Sequence, residues 1–248
     1  MVACEQSCSA LSELTHISPT EVLPFSTGVI GEVLPVDVLN AALPAAISDL
    51  GSNNWERAAQ AIMTTDTVPK LRSKVVTINN GTACQLVGMS KGSGMIQPNM
   101  ATMLGFIATD AVISCEMLDG MLRTAVNQSF NRITVDGDTS TNDAVTLTAT
   151  GQSDFVTSPT DREAALAFQA ALTELATELA QDIIRDGGGA TKFVEITVSN
   201  AGSEAEADQV ARTVAHSPLV KTALFASDPN WGRILAAVGR AGVSDLNV

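Results

Sequence analysis

Hydrophobic residues recur along this chain in two rhythms, one of period two and one of helical period. Ala144 to Thr150 and Phe193 to Val198 alternate apolar and polar side chains, the pattern of a half-buried strand. Val75-Val76-Thr77-Ile78 and Cys84-Gln85-Leu86-Val87 flank Asn79-Asn80-Gly81-Thr82. The Asn80-Gly81 pair supplies the positive φ angles of a tight turn, so these runs predict a hairpin. A glycine-rich segment, Gly88 to Gly94, comes next. The apolar run Met103 to Ile107 is too short for a helix standing alone and predicts a buried strand.

The helical period governs much of the rest. Ser9 to Leu14 looks helical and ends near Pro19; Phe25 to Gly31 then reads as a turn bounded by glycines. Residues 37 to 62 form a broken helical region, with Leu39, Ala42 and Leu43 on one apolar face and Trp55, Ala58, Ala59 and Ile62 on another. Ser158-Pro159 opens a long helix, with Ser at the cap, Pro in the first turn, and Asp161 and Glu163 near the positive end of the dipole. Leu166, Leu172, Leu175, Leu179 and Ile183 form its stripe, and Gly187-Gly188-Gly189 stop it. Ser203-x-x-Glu206 is a capping box for a helix through about Ala215. Interleaved helices and strands with a hairpin predict mixed α/β or α+β layers, not a purely parallel sheet. A helix at the very start, and an apolar segment before Ile234–Val248 with nothing after it to pack, predict an architecture incomplete at both ends.

Composition narrows the chemistry. The 248 residues carry 14 Lys+Arg against 27 Asp+Glu, a net charge of −13, so a nucleic-acid surface is not expected. With 45% apolar residues the chain can bury a core. It has two histidines, His16 and His216, and no tyrosine, which removes a His cluster and a Tyr acid and leaves hydroxyl nucleophiles, Lys and carboxylates. Cys4, Cys8, Cys84 and Cys115 read as small buried thiols, because Cys4 and Cys8 have no second ligand pair to make a zinc site. The start MVACEQSC has no leader pattern, and no apolar run approaches the ~20 residues of a membrane helix. A soluble, cytoplasmic protein without metal is expected.

The richest segment is KGSGMIQPNMATML, residues 91 to 104. Its GxG is a weak phosphate signal with no GK[ST] after it, and on composition alone a flexible surface loop is the expected reading. Yet the segment runs straight into the Met103–Ile107 strand. A threonine at the mouth of a buried strand is well placed to be held as a nucleophile. Asp136, Asp138 and Asp143 in VDGDTSTND suggest turn and cap residues over a calcium loop, since the closing glutamate is absent. Trp231 and Arg233 read as packing and bracing residues, and Asp66 as a cap or a support to the site.

The segment KGSGMIQPNMATMLGFIATDA resembles the signature of the ornithine acetyltransferase family, also called bifunctional glutamate N-acetyltransferases, of arginine biosynthesis. PFSTGVIGEVLP (24–35), AIMTTDTVPK (61–70), NRITVDGDTSTNDAV (131–145) and KTALFASDPNWGRILAAVG (221–239) agree with it, in order, over roughly residues 12 to 243. The resemblance implies a layered sheet-and-helix sandwich and a mechanism like that of N-terminal-nucleophile hydrolases. It implies self-cleavage between Ala101 and Thr102 into 1–101 and 102–248, and a hetero-oligomer of the two products. The freed Thr102 hydroxyl then takes the acetyl group of N-acetylornithine and passes it to glutamate, with the Thr102 α-amine as base. By the same resemblance Thr27 and Gly28 stabilise the oxyanion, Lys91 contacts substrate, and Thr64 does so too, or Thr65 or Thr67 if the alignment slips. No cofactor is implied, and acetyl-CoA enters only as a further acetyl donor.

Three departures from the family stand out. Where the family has Gly-Glu-Gly-Ala-Thr-Lys, this chain has Gly187-Gly188-Gly189-Ala190-Thr191-Lys192, with Gly188 in place of a substrate-contacting glutamate. A further N-terminal region and a C-terminal tail that completes the site are also expected from the family and do not appear. Two alternatives therefore stay open: an amidohydrolase or aminopeptidase using the same threonine, and a relative that keeps the fold but is weakly active or non-catalytic.

Overall fold

The computed structural model describes residues 2–97, 103–138, 142–158, 160–244 and 246. Helices α1 (Val2–Thr15), α2 (Val36–Ser48) and α3 (Trp55–Ala61) lead into a hairpin of β1 (Lys70–Thr77) and β2 (Ala83–Lys91). Gly81 takes the left-handed conformation (φ 84°) and Asn80 does not. Gly81 N–H donates to Ile78 O at 2.9 Å and Ile78 N–H to Thr82 O at 3.0 Å, so the hairpin closes through a three-residue loop instead of the two-residue Asn-Gly turn.

Next come β3 (Leu104–Thr109), β4 (Val112–Ile113), α4 (Cys115–Gln128), β5 (Ala144–Ala149), β6 (Val156–Thr157) and α5 (Arg162–Arg185). The main sheet has the order β1-β2-β3-β5. β2 pairs antiparallel with both neighbours, Lys91 opposite Leu104, while β3 and β5 run parallel with Leu104 opposite Ala144. β4 and β6 form a separate two-stranded ladder. The expected mixed α/β class is what the chain forms.

Helix α5 supplies the largest share of the core. Phe168, Leu172, Leu175, Leu179 and Ile183 are fully buried in one cluster with Leu86 of β2 and Ile107 of β3. Each such side chain stabilises the fold by ~1.5–3 kcal/mol relative to exposure. A Cβ at Gly88 would lie 2.8 Å from Leu175 Cδ2 and 3.0 Å from Leu179 Cδ1, so only glycine lets the helix cross the strand this closely. Beyond α5, α6 (Glu204–Ala215), α7 (Pro218–Phe225) and α8 (Trp231–Gly239) share a smaller cluster of Val214, Val220 and Ala237.

Several sequence expectations are corrected. α5 begins at Arg162, because Asp161 caps it by accepting Ala164 N–H at 3.1 Å; Ser158 Oγ instead accepts Asp161 N–H at 3.2 Å. Pro159 lies outside the described residues. Leu166 is 58% exposed and off the stripe, which Phe168 occupies. Phe193–Val198 forms no strand. Alternation matches the pleat, but a strand also needs a neighbour to take its N–H and C=O groups, and among the described residues none lies beside it; Phe193 instead faces the Arg185 guanidinium at 4.6 Å. The early turn sits at Val29–Glu32, where Gly31 has φ 91° and Glu32 N–H donates to Val29 O at 3.1 Å. Cys4 and Cys115 are exposed; Cys8 and Cys84 are buried, and burial pushes the Cys84 thiol up to about 11. Trp231 is 72% exposed, so it does not pack. Among the described residues no helix is long and apolar enough to cross a membrane.

Candidate active site

The C-terminal end of β2, the N-terminal end of β3 and the residues before β1 and β5 meet at one edge of the core. Lys91 closes β2 with 3% of its surface exposed, which rules out a solvated loop charge. Burial depresses the Lys91 ammonium below the usual lysine range and Lys70 adds to this, while Asp66 and Asp143 act the other way.

A buried ion cluster braces this edge from behind. Lys70 Nζ lies 2.6 Å from Asp66 Oδ1 and 2.6 Å from Asp186 Oδ2. Asp66 Oδ1 also accepts Gly92 N–H at 2.7 Å, and Asp66 Oδ2 accepts Thr64 N–H at 3.1 Å. Asp186, at the C-cap of α5, accepts Thr67 N–H at 2.9 Å and the Thr67 hydroxyl. Burial raises both carboxyls, but these donors outweigh it and hold each below the usual carboxylate range. Residues 64–67, the loop after Lys91 and the end of α5 are thereby locked together. Thr65 Oγ1 meets Ser93 Oγ at 2.7 Å, and Gly188 N–H donates to Ser93 O at 2.9 Å.

Two further aspartates of the VDGDTSTND stretch tie down the same edge. Asp136 accepts Met95 N–H at 2.7 Å and Ile96 N–H at 3.0 Å. Asp143 Oδ1 accepts Met103 N–H at 2.6 Å, and Ala144 N–H donates to Met103 O at 3.1 Å. Both carboxylates thus serve backbone N–H groups, as turn and cap residues do. Arg233 donates to Leu219 O at 2.9 Å and Thr222 Oγ1 at 3.0 Å, a brace between α7 and α8.

The structure therefore brings Lys91, Thr65, Gly188 and Asp143 to one edge, beside Met103. Ala101 and Thr102 lie outside the described residues. Thr64 is exposed and joins the cluster only through its backbone; the Thr65 hydroxyl is the one that reaches the Lys91 loop. Thr27 and Gly28 lie in the irregular segment before α2, the first half-buried and the second exposed. They reach the sheet indirectly: Phe25 packs edge-on against Phe106 of β3, ring centroids 5.5 Å apart. A Cβ at Gly28 would meet nothing within 4 Å, so its backbone is open. The sequence did not single out Lys70 or Ser93; the i,i+4 spacing of Asp66 and Lys70 was the available signal for the first.

Fold and site define a mixed α/β protein with an amine-and-carboxylate site, free of histidine among the described residues, at one end of its sheet. The chain belongs to the ArgJ family, whose sequence profile matches residues 1–248. It is 56% identical over 252 residues to the arginine biosynthesis bifunctional protein ArgJ of Pseudomonas syringae pv. tomato, and 53% identical over 249 residues to that of Pseudomonas fluorescens. Both matches cover 100% of this chain, which spans 61% of the length of each relative. It also resembles a crystal structure of arginine biosynthesis bifunctional protein argJ from Bacillus halodurans, with a TM-score of 0.52 and 44% identity, over 56% of this chain and 64% of that one.

Proposed function

We propose that this chain performs the acetyl transfer of arginine biosynthesis, moving an acetyl group from N-acetylornithine to glutamate through an acetyl-Thr102 intermediate after cleavage between Ala101 and Thr102. What carries the reading is a match to the ArgJ family along the whole chain, joined to a buried lysine and a braced loop at the edge where Met103 enters β3. Attack by the Thr102 hydroxyl needs a base near neutrality, and a freed α-amine, at roughly 7.7–8.0 unperturbed, serves where no histidine is at hand. Lys91 is the cation for a substrate carboxylate, Thr65 or Thr64 a hydroxyl contact, and Thr27 and Gly28 the oxyanion donors. No cofactor takes part; acetyl-CoA is a second acetyl donor at most, and the setting is cytoplasmic.

The sheet supports a hetero-oligomer of the two products. β1 and β2 belong to 1–101, and β3, β5 and the covering helix α5 to 102–248. One observation favours a second reading, in which water or another amine accepts the acyl group. Gly188 offers no carboxylate to a substrate ammonium, and both oxygens of neighbouring Asp186 are already engaged by Lys70 and Thr67.

Intact-mass spectrometry tests the core of the proposal. Cutting 248 residues after residue 101 leaves pieces of 101 and 147 residues that co-purify, and Thr102→Ala stays uncut. A folded parent chain with a single uncut mass refutes the reading. Acetyl transfer assayed beside N-acyl hydrolysis separates the two versions.

A further inference from the structure

Asp143 stands one residue before β5, where β5 comes alongside β3. The backbone of Met103 is gripped there from both sides. Its N–H donates to Asp143 Oδ1 at 2.6 Å, and its carbonyl accepts Ala144 N–H at 3.1 Å. Met103 N is bonded to the carbonyl carbon of Thr102, so this grip acts on the peptide unit directly behind the proposed nucleophile.

The other oxygen, Asp143 Oδ2, is buried and has no hydrogen-bond partner among the described residues. Native folds leave few buried acceptors unpaired, and each one calls for a reason. The charged group acting on Asp143 is Lys91 of β2, whose register partner Leu104 follows Met103. Lys91 is itself under the influence of Asp66 and Lys70 at the start of β1.

We propose that Asp143 is a positioning residue for Thr102: one oxygen holds the peptide behind the nucleophile through Met103, while the other is kept free in the field of Lys91. The role rests on the reading of Thr102 as nucleophile. Burial pushes the Asp143 carboxyl up to about 6, against the pull of Met103 N–H and Lys91. The carboxylate accepts a hydrogen bond more strongly than the acid does. The grip on Met103 therefore tightens as pH rises through about 6. During self-cleavage the Thr102 nitrogen is still an amide and does not titrate, so an inflection there belongs to side chains.

The test follows self-cleavage by intact mass after refolding uncut full-length chain between pH 5 and 8. The parent rate is expected to rise with an inflection near pH 6. Asp143→Asn keeps an acceptor for Met103 N–H but cannot ionise, so it should cleave with that inflection lost. Asp143→Ala loses the tether and should be slower than the Asn variant by ~10–100-fold, the loss of one charge-assisted hydrogen bond. A merely structural residue would slow both variants alike and leave the pH profile in place, which overturns the proposal. A second measurement does not depend on cleavage. In uncut Thr102→Ala chain with ¹³C-labelled aspartate, the resonance missing from the Asp143→Asn version should titrate near pH 6; a midpoint at or below about 4 overturns the proposal while leaving Thr102 in place. A parent that never cleaves, with Asp143 still titrating near 6, instead refutes the nucleophile reading and the positioning role with it.

Discussion

Lys70 is the residue whose loss the structure makes most consequential for the fold around the site. Its side chain is 1% exposed and its ammonium is shared at 2.6 Å by Asp66 and by Asp186. Lys70→Met keeps the length and removes the charge. Two charge-assisted hydrogen bonds go, each worth ~1.5–3 kcal/mol, and two carboxylates are left buried without their cation. The sum, about 3–6 kcal/mol, overlaps the ~3–5 kcal/mol typical of breaking a buried ion pair by removing one partner. We therefore expect a loss of ~4 kcal/mol at pH 7.5.

The pH dependence gives a sharper check than the magnitude. With Lys70 present, both carboxyls are held below their unfolded values. The stability they contribute is present above the unfolded pKa, near ~3.9, and is lost as pH falls through the depressed folded values. Without Lys70, burial is opposed only by the Gly92, Thr64 and Thr67 donors, so both folded values rise from where Lys70 holds them. At a given pH the variant's folded state then binds more protons than the parent's, so falling pH relieves the variant first. The deficit of Lys70→Met should thus be smaller at pH 5 than at pH 7.5. Urea unfolding of Thr102→Ala and Thr102→Ala/Lys70→Met, at both pH values, measures it without interference from cleavage. A loss under ~1 kcal/mol at pH 7.5, or an equal deficit at both pH values, refutes the reasoning.

Gly188→Glu should bind N-acetylornithine ~10–100-fold more tightly than the parent, the gain of one charge-assisted hydrogen bond to the substrate ammonium. The site admits the change, because Gly188 does not take a left-handed φ and a Cβ there would meet only Ser93 O, at 3.9 Å. Calorimetric titration decides it, and equal affinities would show that no ammonium comes to this position. Thr27→Ala should lower acetyl-transfer turnover by ~10²–10³ with little change in KM, as expected for losing an oxyanion donor. Since Thr27 is half-buried and makes no hydrogen bond among the described residues, its thermal midpoint should stay put, and turnover within a few-fold of the parent would reject the assignment.

What the sequence made legible was local. The hairpin, the β3 and β5 runs and α5 announce themselves through periodicity, because each buries one face against a continuous core. The supports of the site do not, because their partners are remote. Thr67 and Asp186 are 119 positions apart, and Gly92 and Asp66 are 26 apart. Asp143 looks like one more turn residue in an acidic stretch until β5 places it beside Met103. Phe193–Val198 shows the opposite failure, where a correct local pattern yields no strand without a neighbour. Family resemblance singles out Lys91, whereas composition alone reads it as a solvated loop charge; its burial separates the two.

The position of the proposed cut also has a physical logic. Residues 92 to 103, twelve in all, link the antiparallel neighbours β2 and β3. Opening a link of that length releases only about 2 kcal/mol of loop-closure restraint, taking (3/2)RT ln n. Against this stand the β2–β3 ladder from Leu86–Thr109 to Lys91–Leu104 and the core in which α5, from the second product, covers β2, from the first. Phe168, Leu172, Leu175, Leu179 and Ile183 alone bury apolar surface worth several times the released restraint. A cut in this link can therefore free an α-amine at the entrance to β3 without separating the two products. A cut inside β2 or β3 would remove ladder bonds as well, and one in α5 would open the core. This connection thus joins a low cost of breakage to a neighbourhood that holds the buried amine of Lys91 and the half-buried carboxyl of Asp143.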